Sequence, residues 1–238
     1  MGYKKGVIVL SLLRKVLNKA QNVFPVLGWL LIAYPARKFA ISILYHARFY
    51  KLFGWSFSGL HLGSGGNKIE NFLNIDGNPA ASCDVVAGVD KINLRDGSVA
   101  TIYTSHVFEH IPRARIKAVL DDWFRVLKHG GRLYICVPDL EVLSRIYLGG
   151  LGDYSVDVNV RARVDLACGV AFGGQVNRFD YHYYGYSAQT LAWLLKEAGF
   201  ASVDRFNRAS MADAFPFNDA SYALIDGTPI SLNLVAEK

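Results

Sequence analysis

The chain has 238 residues, of which 52% are hydrophobic, and these values predict one sizeable domain with an extension and exclude a disordered protein. The three cysteines, Cys83, Cys136 and Cys168, form no C-x-x-C pair, which argues against a thiolate zinc site and indicates reduced thiols in the cytoplasm. The net charge of +6 is unevenly distributed, because residues 1–58 contain nine Lys and Arg and no acidic residue.

The basic segment 1–58 is predicted to form an amphipathic helical extension ahead of a domain at 59–238. Apolar residues recur at helical spacing in 3–22, whereas the apolar run at 23–34 is too short to span a membrane. Basic and aromatic residues around apolar patches suit a helix on an anionic membrane surface. They equally suit a lid of helices packed on the domain, and a nucleic acid is the least favoured partner.

From residue 59 onward, strand-like and helix-like patterns alternate, which predicts an α/β fold with a parallel sheet covered by helices. The predicted strands are 59–63, 72–76, 84–87, 100–105, 131–137, 201–206 and 230–236. The clearest helix is 112–128, with Pro112 in its first turn and a left-handed cap at 129–131. Ser187 is predicted to cap a second helix at 188–198.

A glycine-rich turn follows the first predicted strand, and the second strand ends on an acid, Asp76. Glycines after a strand let the backbone bend sharply and approach a ligand closely. An acid at the end of the next strand can accept hydrogen bonds from both hydroxyls of a ribose. The pattern therefore indicates an adenosine-containing cofactor. Because the third glycine of the dinucleotide fingerprint is missing, a nicotinamide dehydrogenase is disfavoured.

Taken in order, the motifs resemble those of class I S-adenosylmethionine-dependent methyltransferases, in particular the small predicted methyltransferases of type 11. The matching segments are LHLGSGG at 60–66, NIDGNP at 74–79, DGSVATIYTSHVFEH at 96–110, RVLKHGGRLYICVPDL at 125–140, LLKEAGF at 194–200 and LNLVAEK at 232–238. The resemblance does not cover residues 1–58. It implies a Rossmann-like fold with a mostly parallel seven-stranded sheet flanked by helices, and S-adenosyl-L-methionine as the cofactor.

The resemblance also implies a cofactor site. It places the methionine end of the cofactor on the backbone of Gly63, Ser64 and Gly65, the ribose on Asp76, and the adenine near Val89 and Asp90, with Ser105 at the adjacent strand end. Three positions depart from the family pattern, namely Gly88, Ala100 and His129. Gly88 stands where an acid that recognises adenine is usual, so either Asp90 substitutes for that acid or the contact is made by backbone alone.

Residues 106–110 also match H-x-x-E-H, a pattern found in zinc proteases. That chemistry needs both histidines, His106 and His110, on one helical face. The motif here directly follows a predicted strand and precedes Pro112, so the histidines need not share a face. We therefore expect no metal, and a zinc metalloprotease is only a remote alternative.

Methyl transfer to a hydroxyl needs alignment of the acceptor and a general base. His106 is the first candidate, because it follows a strand at the ligand-binding edge of a parallel sheet and imidazole titrates near neutrality. Glu109 and His110 could instead orient the next helix. A second candidate group, Asp180 and His182, lies in the segment 173–186, which is rich in glycine and tyrosine. This segment suits either a loop that closes over a polar acceptor or a loop packed on the sheet.

These patterns together predict an O-methyltransferase that acts on a glycan, a glycolipid or another polar metabolite in the cytoplasm, with membrane association through residues 1–58 as an open alternative. A second hypothesis is a membrane-associated binding module that keeps the cofactor fold without turnover. It is suggested by Gly88, where the usual acid is missing.

Overall fold

The computed structural model describes residues 42, 45, 57–149, 158–177, 179–211, 213–215 and 218–238. The predicted helical extension at 1–58 therefore lies outside the described residues, apart from Ser42, Tyr45, Phe57 and Ser58. Across the described ranges, no helix combines the length and apolar character needed to cross a membrane.

A seven-stranded sheet forms the centre of the described structure. The strands in chain order are β1 (Gly59–Leu62), β2 (Phe72–Asp76), β3 (Val85–Val86), β4 (Val99–Ser105), β5 (Leu127–Pro138), β6 (Ser202–Arg205), β7 (Leu224–Ile225), β8 (Thr228–Pro229) and β9 (Ser231–Glu237). The large sheet has the order β3-β2-β1-β4-β5-β9-β6, and β7 pairs with β8 separately. Strands β1 to β5 pair in parallel, whereas β9 runs antiparallel to β5 and β6. The predicted mostly parallel, seven-stranded Rossmann-like sheet is confirmed.

Helices flank this sheet. They are α1 (Ile116–Val126), α2 (Leu140–Gly149), α3 (Val158–Phe172) and α4 (Ala188–Glu197), with 3₁₀ turns at Phe108–His110, Arg113–Arg115, Arg208–Met211 and Ala220–Tyr222. The apolar stripe of α1 is buried, and the indole N–H of Trp123 donates to the carbonyl of Val89 at 2.8 Å. Ser187 caps α4 as predicted, in a reciprocal capping box with Thr190.

The boundary between α1 and β5 differs from the prediction. The helix begins at Ile116 after a 3₁₀ turn and ends at Val126, because Leu127 is already extended and pairs with Val99 in β4. The prediction that residues 129–131 cap the helix is therefore wrong. Gly130 does have a positive φ of 70°, but it lies inside β5, where its N–H donates to the carbonyl of Lys238.

Parallel pairing brings the carboxyl ends of β1, β2, β4 and β5 to one edge of the sheet. Their interior residues, such as Leu60, Ile75, Ile102 and Ile135, are fully buried and fix the register of the strands. The segments that follow these ends carry the predicted site residues, so the sheet itself places them together.

Candidate active site

The turn after β1 forms a backbone cradle. The N–H groups of Gly63 and Ser64 both donate to the carbonyl of Ile75, at 2.8 and 3.2 Å, which closes the turn onto β2. Gly63 has a φ of 69°, and the side chain of Val107 occupies the space that a Cβ there would need. A Cβ on Gly65 would meet no atom within 4 Å. The turn is thus packed on one side and open on the other, which fits the close approach of a ligand.

The carboxylate of Asp76 lies across this cradle at the end of β2. Its Oδ2 accepts the N–H of Gly65 at 2.8 Å, and its Oδ1 accepts the N–H of Asn78 at 2.7 Å. Each carboxylate oxygen has more than one acceptor site, so both can still receive a ribose hydroxyl. The two backbone amides therefore orient the acid for the contact that the sequence predicted.

The segment after β3 has a fixed backbone. The carbonyl of Val89 accepts the indole N–H of Trp123, and the carboxylate of Asp90 forms an ion pair with Arg115. A side-chain oxygen of Asp90 also fills the space beside Gly88 where a Cβ would lie. An acid therefore stands next to Gly88 even though position 88 has none. That Asp90 contacts the adenine stays a prediction.

His106 follows β4 in a left-handed conformation, with a φ of 51°, and its N–H donates to the carbonyl of Cys136 at 2.8 Å. Asn233 donates its amide N–H to Ser221, which leaves its Oδ1 to accept the hydroxyl of Ser231 at 2.9 Å. The Ser231 oxygen, 3.1 Å from His106 Nε2, can then accept that ring N–H. Burial lowers the pKa of His106 to about 4, below the near-neutral value expected from the sequence, so the ring is neutral near pH 7 and Nδ1 keeps its lone pair.

Glu109 lies at the centre of a buried polar cluster. Its side chain is 1% exposed, and its Oε1 lies 3.4 Å from His106 Nδ1 and 3.9 Å from His182 Nε2. Within the described part of the chain, neither carboxylate oxygen accepts a hydrogen bond. Burial raises the pKa of Glu109 to about 8. A carboxyl group in this setting holds a proton near pH 7 unless a cation joins it.

His110 and His182 complete the cluster from two distant segments. Their rings are nearly perpendicular, with centroids 4.7 Å apart. His110 Nδ1 lies 3.0 Å from the carbonyl of Tyr181, and since a carbonyl only accepts, this nitrogen carries the proton. Burial lowers the pKa of both histidines. Both rings are therefore neutral and each keeps one nitrogen lone pair.

The segment 173–186 crosses the site, with Phe179 close to Gly77 and the N–H of Tyr183 donating to the carbonyl of Glu109 at 2.8 Å. Asp180 holds this segment together, because its carbonyl accepts the N–H of Gln175 at 3.2 Å. Its carboxylate makes a long contact of 3.4 Å with the N–H of Val176. Among the described residues, Asp180 therefore acts on His110 and His182 through its charge and not through a hydrogen bond.

The structure thus joins some of the predicted residues and separates others. His106 and His182 meet around Glu109, whereas Asp180 makes its hydrogen bonds within its own loop. Ser105 ends β4 with a buried hydroxyl that lacks a hydrogen-bond partner among the described residues. No sequence pattern identifies Ser231, which lies 125 residues from His106 along the chain.

The arrangement also differs from that of an H-x-x-E-H protease. His106 precedes the 3₁₀ turn Phe108–His110 and has a left-handed φ, so no helix runs through both histidines of the motif. Neither the metalloprotease nor the binding module without turnover is supported by the similarities of this chain to known proteins.

A family model described as a methyltransferase domain matches residues 70–204. No curated protein matches the chain. Solved structures with a similar fold include a SAM-dependent methyltransferase from Archaeoglobus fulgidus, at 15% identity, TM-score 0.44 and coverage of 85% of this chain and 94% of that one. Another is a Burkholderia thailandensis 1,6-didemethyltoxoflavin-N1-methyltransferase with bound 1,6-didemethyltoxoflavin and S-adenosylhomocysteine, at 14% identity, TM-score 0.44 and coverage of 100% of this chain and 90% of that one.

The family match covers more than half of the chain and includes Asp76, the 106–110 motif and most of the sheet. The cradle after β1 and the oriented acid after β2 fit the cofactor of that family. The chain belongs to the methyltransferase domain family, and it is an S-adenosyl-L-methionine-dependent methyltransferase of class I.

Proposed function

We propose that this methyltransferase methylates a hydroxyl oxygen of a polar acceptor, namely a glycan, a glycolipid or another polar metabolite. The observation that carries the proposal is the oriented, neutral imidazole of His106 directly beside the cofactor cradle. Val107, which follows His106 in the chain, packs its side chain against Gly63. This contact fixes the position of the His106 base relative to the cradle. The cofactor, when bound, supplies a methyl group on a positively charged sulfur.

The chain then has two tasks, which are to align the acceptor and to remove its proton. Ser231 and Asn233 hold the Nε2 side of His106, which leaves Nδ1 as the proton acceptor. With the cofactor bound, His106 Nδ1 would take the proton of the acceptor hydroxyl, and the cofactor would supply the methyl group to that oxygen. Of the other predicted catalytic residues, His182 lies beside this base with its Nε2 3.9 Å from Glu109 Oε1, and Asp180 supports His182 through the loop.

The choice of a sugar-like acceptor is supported by the aromatic residues of the segment 173–186. Tyr181 is 42% exposed and Tyr183 is 57% exposed, and both border the histidine cluster. Exposed aromatic faces with polar groups beside them suit the alternating apolar and hydroxyl surfaces of a sugar. A loop that only packs on the sheet would bury these rings.

Methyl-labelled cofactor and extracts from the encoding organism test the proposal. We expect the full chain to place label in an alkali-stable ether within a polysaccharide, glycolipid or polar-metabolite fraction. His106→Asn, which tolerates a left-handed φ, should slow transfer by about 10²- to 10⁴-fold, because the general base is lost. His129→Asn, at an exposed position of β5, is the matched control. Label confined to amines or alkali-labile esters, or full activity of His106→Asn, would contradict the proposal.

We also propose that the protein acts in the cytoplasm, with residues 1–58 as its contact to an anionic membrane. Cys136 and Cys168 are thiols, in keeping with a reducing compartment. The charge of the extension supports the membrane contact, since residues 1–58 contain nine basic residues and no acidic residue. A nucleic acid partner is not proposed, because the remaining chain carries 17 basic and 20 acidic residues.

A further inference from the structure

The buried cluster offers more donors than the proton transfer uses. Glu109, His110 and His182 each place one potential ligand atom within 4.8 Å of the others. The first two come from the 3₁₀ turn after β4, and the third comes from the loop before α4. Neither segment alone could form such a group.

Glu109 supplies the strongest indication that a ligand belongs here. Its side chain is 1% exposed, and across the described ranges both carboxylate oxygens lack a hydrogen-bond partner. Native proteins rarely bury a carboxylate in this way unless it is paired or coordinates a metal. A cation between the two histidines would satisfy it.

The histidines are prepared as neutral donors. His110 donates its Nδ1–H to the carbonyl of Tyr181, which leaves the lone pair on Nε2. Such a second contact to a backbone carbonyl is typical of histidines that bind metals, because it fixes both the tautomer and the ring orientation. His182 Nε2 lies 3.9 Å from Glu109 Oε1, within reach of an ion shared with that carboxylate.

We propose that Glu109, His110 and His182 bind one divalent transition-metal ion, with Zn²⁺ as its best representative. Two imidazole nitrogens and one carboxylate are a zinc donor set that leaves a position open, whereas Mg²⁺ prefers oxygen ligands alone. Zinc ligands at bond lengths of about 2.0–2.1 Å stand about 3.3 Å apart, so the cluster must contract slightly around the ion. This proposal departs from the expectation, drawn from the sequence, that the chain binds no metal.

The site differs from that of the protease pattern. The second histidine comes from position 182 and not from position 106, so the ligands meet through the fold and not along one helix. Binding of the ion requires neither the cofactor nor the acceptor, and the proposal therefore does not depend on O-methylation.

The test uses the full-length protein, stripped with a chelator and titrated with ZnCl₂ by calorimetry. We expect one ion per chain. Glu109→Gln and His182→Ala should each weaken zinc binding by at least about 10-fold, because each removes a ligand. His129→Ala, which removes an exposed histidine, should bind zinc as the wild type does. Titration with MgCl₂ should give no comparable binding.

Circular dichroism and S-adenosylhomocysteine binding show whether each variant is folded. If Glu109→Gln does not fold, the His182→Ala variant carries the test. Absence of stoichiometric zinc in the wild type, or equal affinity in wild type and a folded His182→Ala, would overturn the proposal. Failure to find an O-methylated product leaves the zinc stoichiometry unchanged, so the two proposals fail separately.

Discussion

The side chain of Val107 fills the space that a Cβ on Gly63 would occupy, and Gly63 has a φ of 69°. Alanine at this position must therefore adopt a conformation that L residues avoid and also displace Val107. We expect Gly63→Ala to lower the free energy of unfolding by about 2–4 kcal/mol and to weaken S-adenosylhomocysteine binding. Urea denaturation and calorimetric titration measure the two effects.

Gly66→Ala is the matched control for this prediction. A Cβ there would meet no atom within 4 Å, and the φ of Gly66 lies outside the left-handed region. Its free energy of unfolding should stay within about 0.5 kcal/mol of the wild type. Equal stability of Gly63→Ala and Gly66→Ala would show that the contact with Val107 is not restrictive.

Asp76 is predicted to hold the ribose of the cofactor. Asp76→Ala removes a carboxylate that Gly65 and Asn78 orient, so S-adenosylhomocysteine should bind at least about 10-fold more weakly for each charge-assisted hydrogen bond lost. Asp121→Ala, on the exposed side of α1, serves as the control. Isothermal titration calorimetry of the wild type and the two variants measures the affinity for S-adenosylhomocysteine. An unchanged affinity in Asp76→Ala would show that Asp76 does not bind the ribose.

The strands and the cradle could be predicted because their signals are local. Runs of buried apolar residues ended by Gly63 or Asp76 are visible in the sequence, and observed β2 has the predicted bounds. The contacts that orient the site are not local. Ser231 meets His106 only because β9 inserts beside β5, and His182 meets Glu109 only because a loop 73 positions away returns over the sheet. Neither pairing leaves a periodic pattern.

His61 makes stability depend on pH. Its ring is buried in β1 and bonded to Asn74, and burial lowers its pKa to about 4 from 6.5. Between these values the unfolded chain binds a proton that the folded chain does not, so the free energy of unfolding falls as the pH falls from 6.5 towards 4. The contribution of His61 has a slope of at most about 1.4 kcal/mol per pH unit.

Denaturation of wild type and His61→Gln at pH 7, 6 and 5 isolates this contribution, because the other histidines are common to both proteins. We expect a shallower loss of stability in the variant and an unchanged slope in His129→Gln, where the histidine is exposed. Parallel curves for wild type and His61→Gln would mean that His61 titrates normally.

Tyr45, in the extension at 1–58, is hydrogen-bonded to Asn93 of the domain. It is 1% exposed, its hydroxyl accepts the N–H of Asn93 at 2.8 Å, and its carbonyl accepts the Asn93 side chain at 2.6 Å. Tyr45→Phe leaves a backbone donor of Asn93 without that acceptor and should cost about 1–3 kcal/mol in the free energy of unfolding. Tyr183→Phe, at an exposed ring, should cost less than about 0.5 kcal/mol. Equal losses in thermal or urea unfolding would argue against this anchor.

The anchor at Tyr45 lies in the same part of the fold as Val89 and Asp90, which favours a lid for that part of the extension. The basic residues at 4, 5, 14 and 15 precede Tyr45 by 30 to 41 positions, so a membrane contact and a lid can occupy different parts of one segment. We expect the full chain to float with anionic vesicles, to remain behind with neutral ones, and to be released by salt, because each basic residue near the surface contributes about 1 kcal/mol. Replacing Lys4, Lys5, Arg14 and Lys15 by Gln should abolish flotation and leave S-adenosylhomocysteine binding intact. Flotation that survives this replacement would assign the membrane contact to another surface.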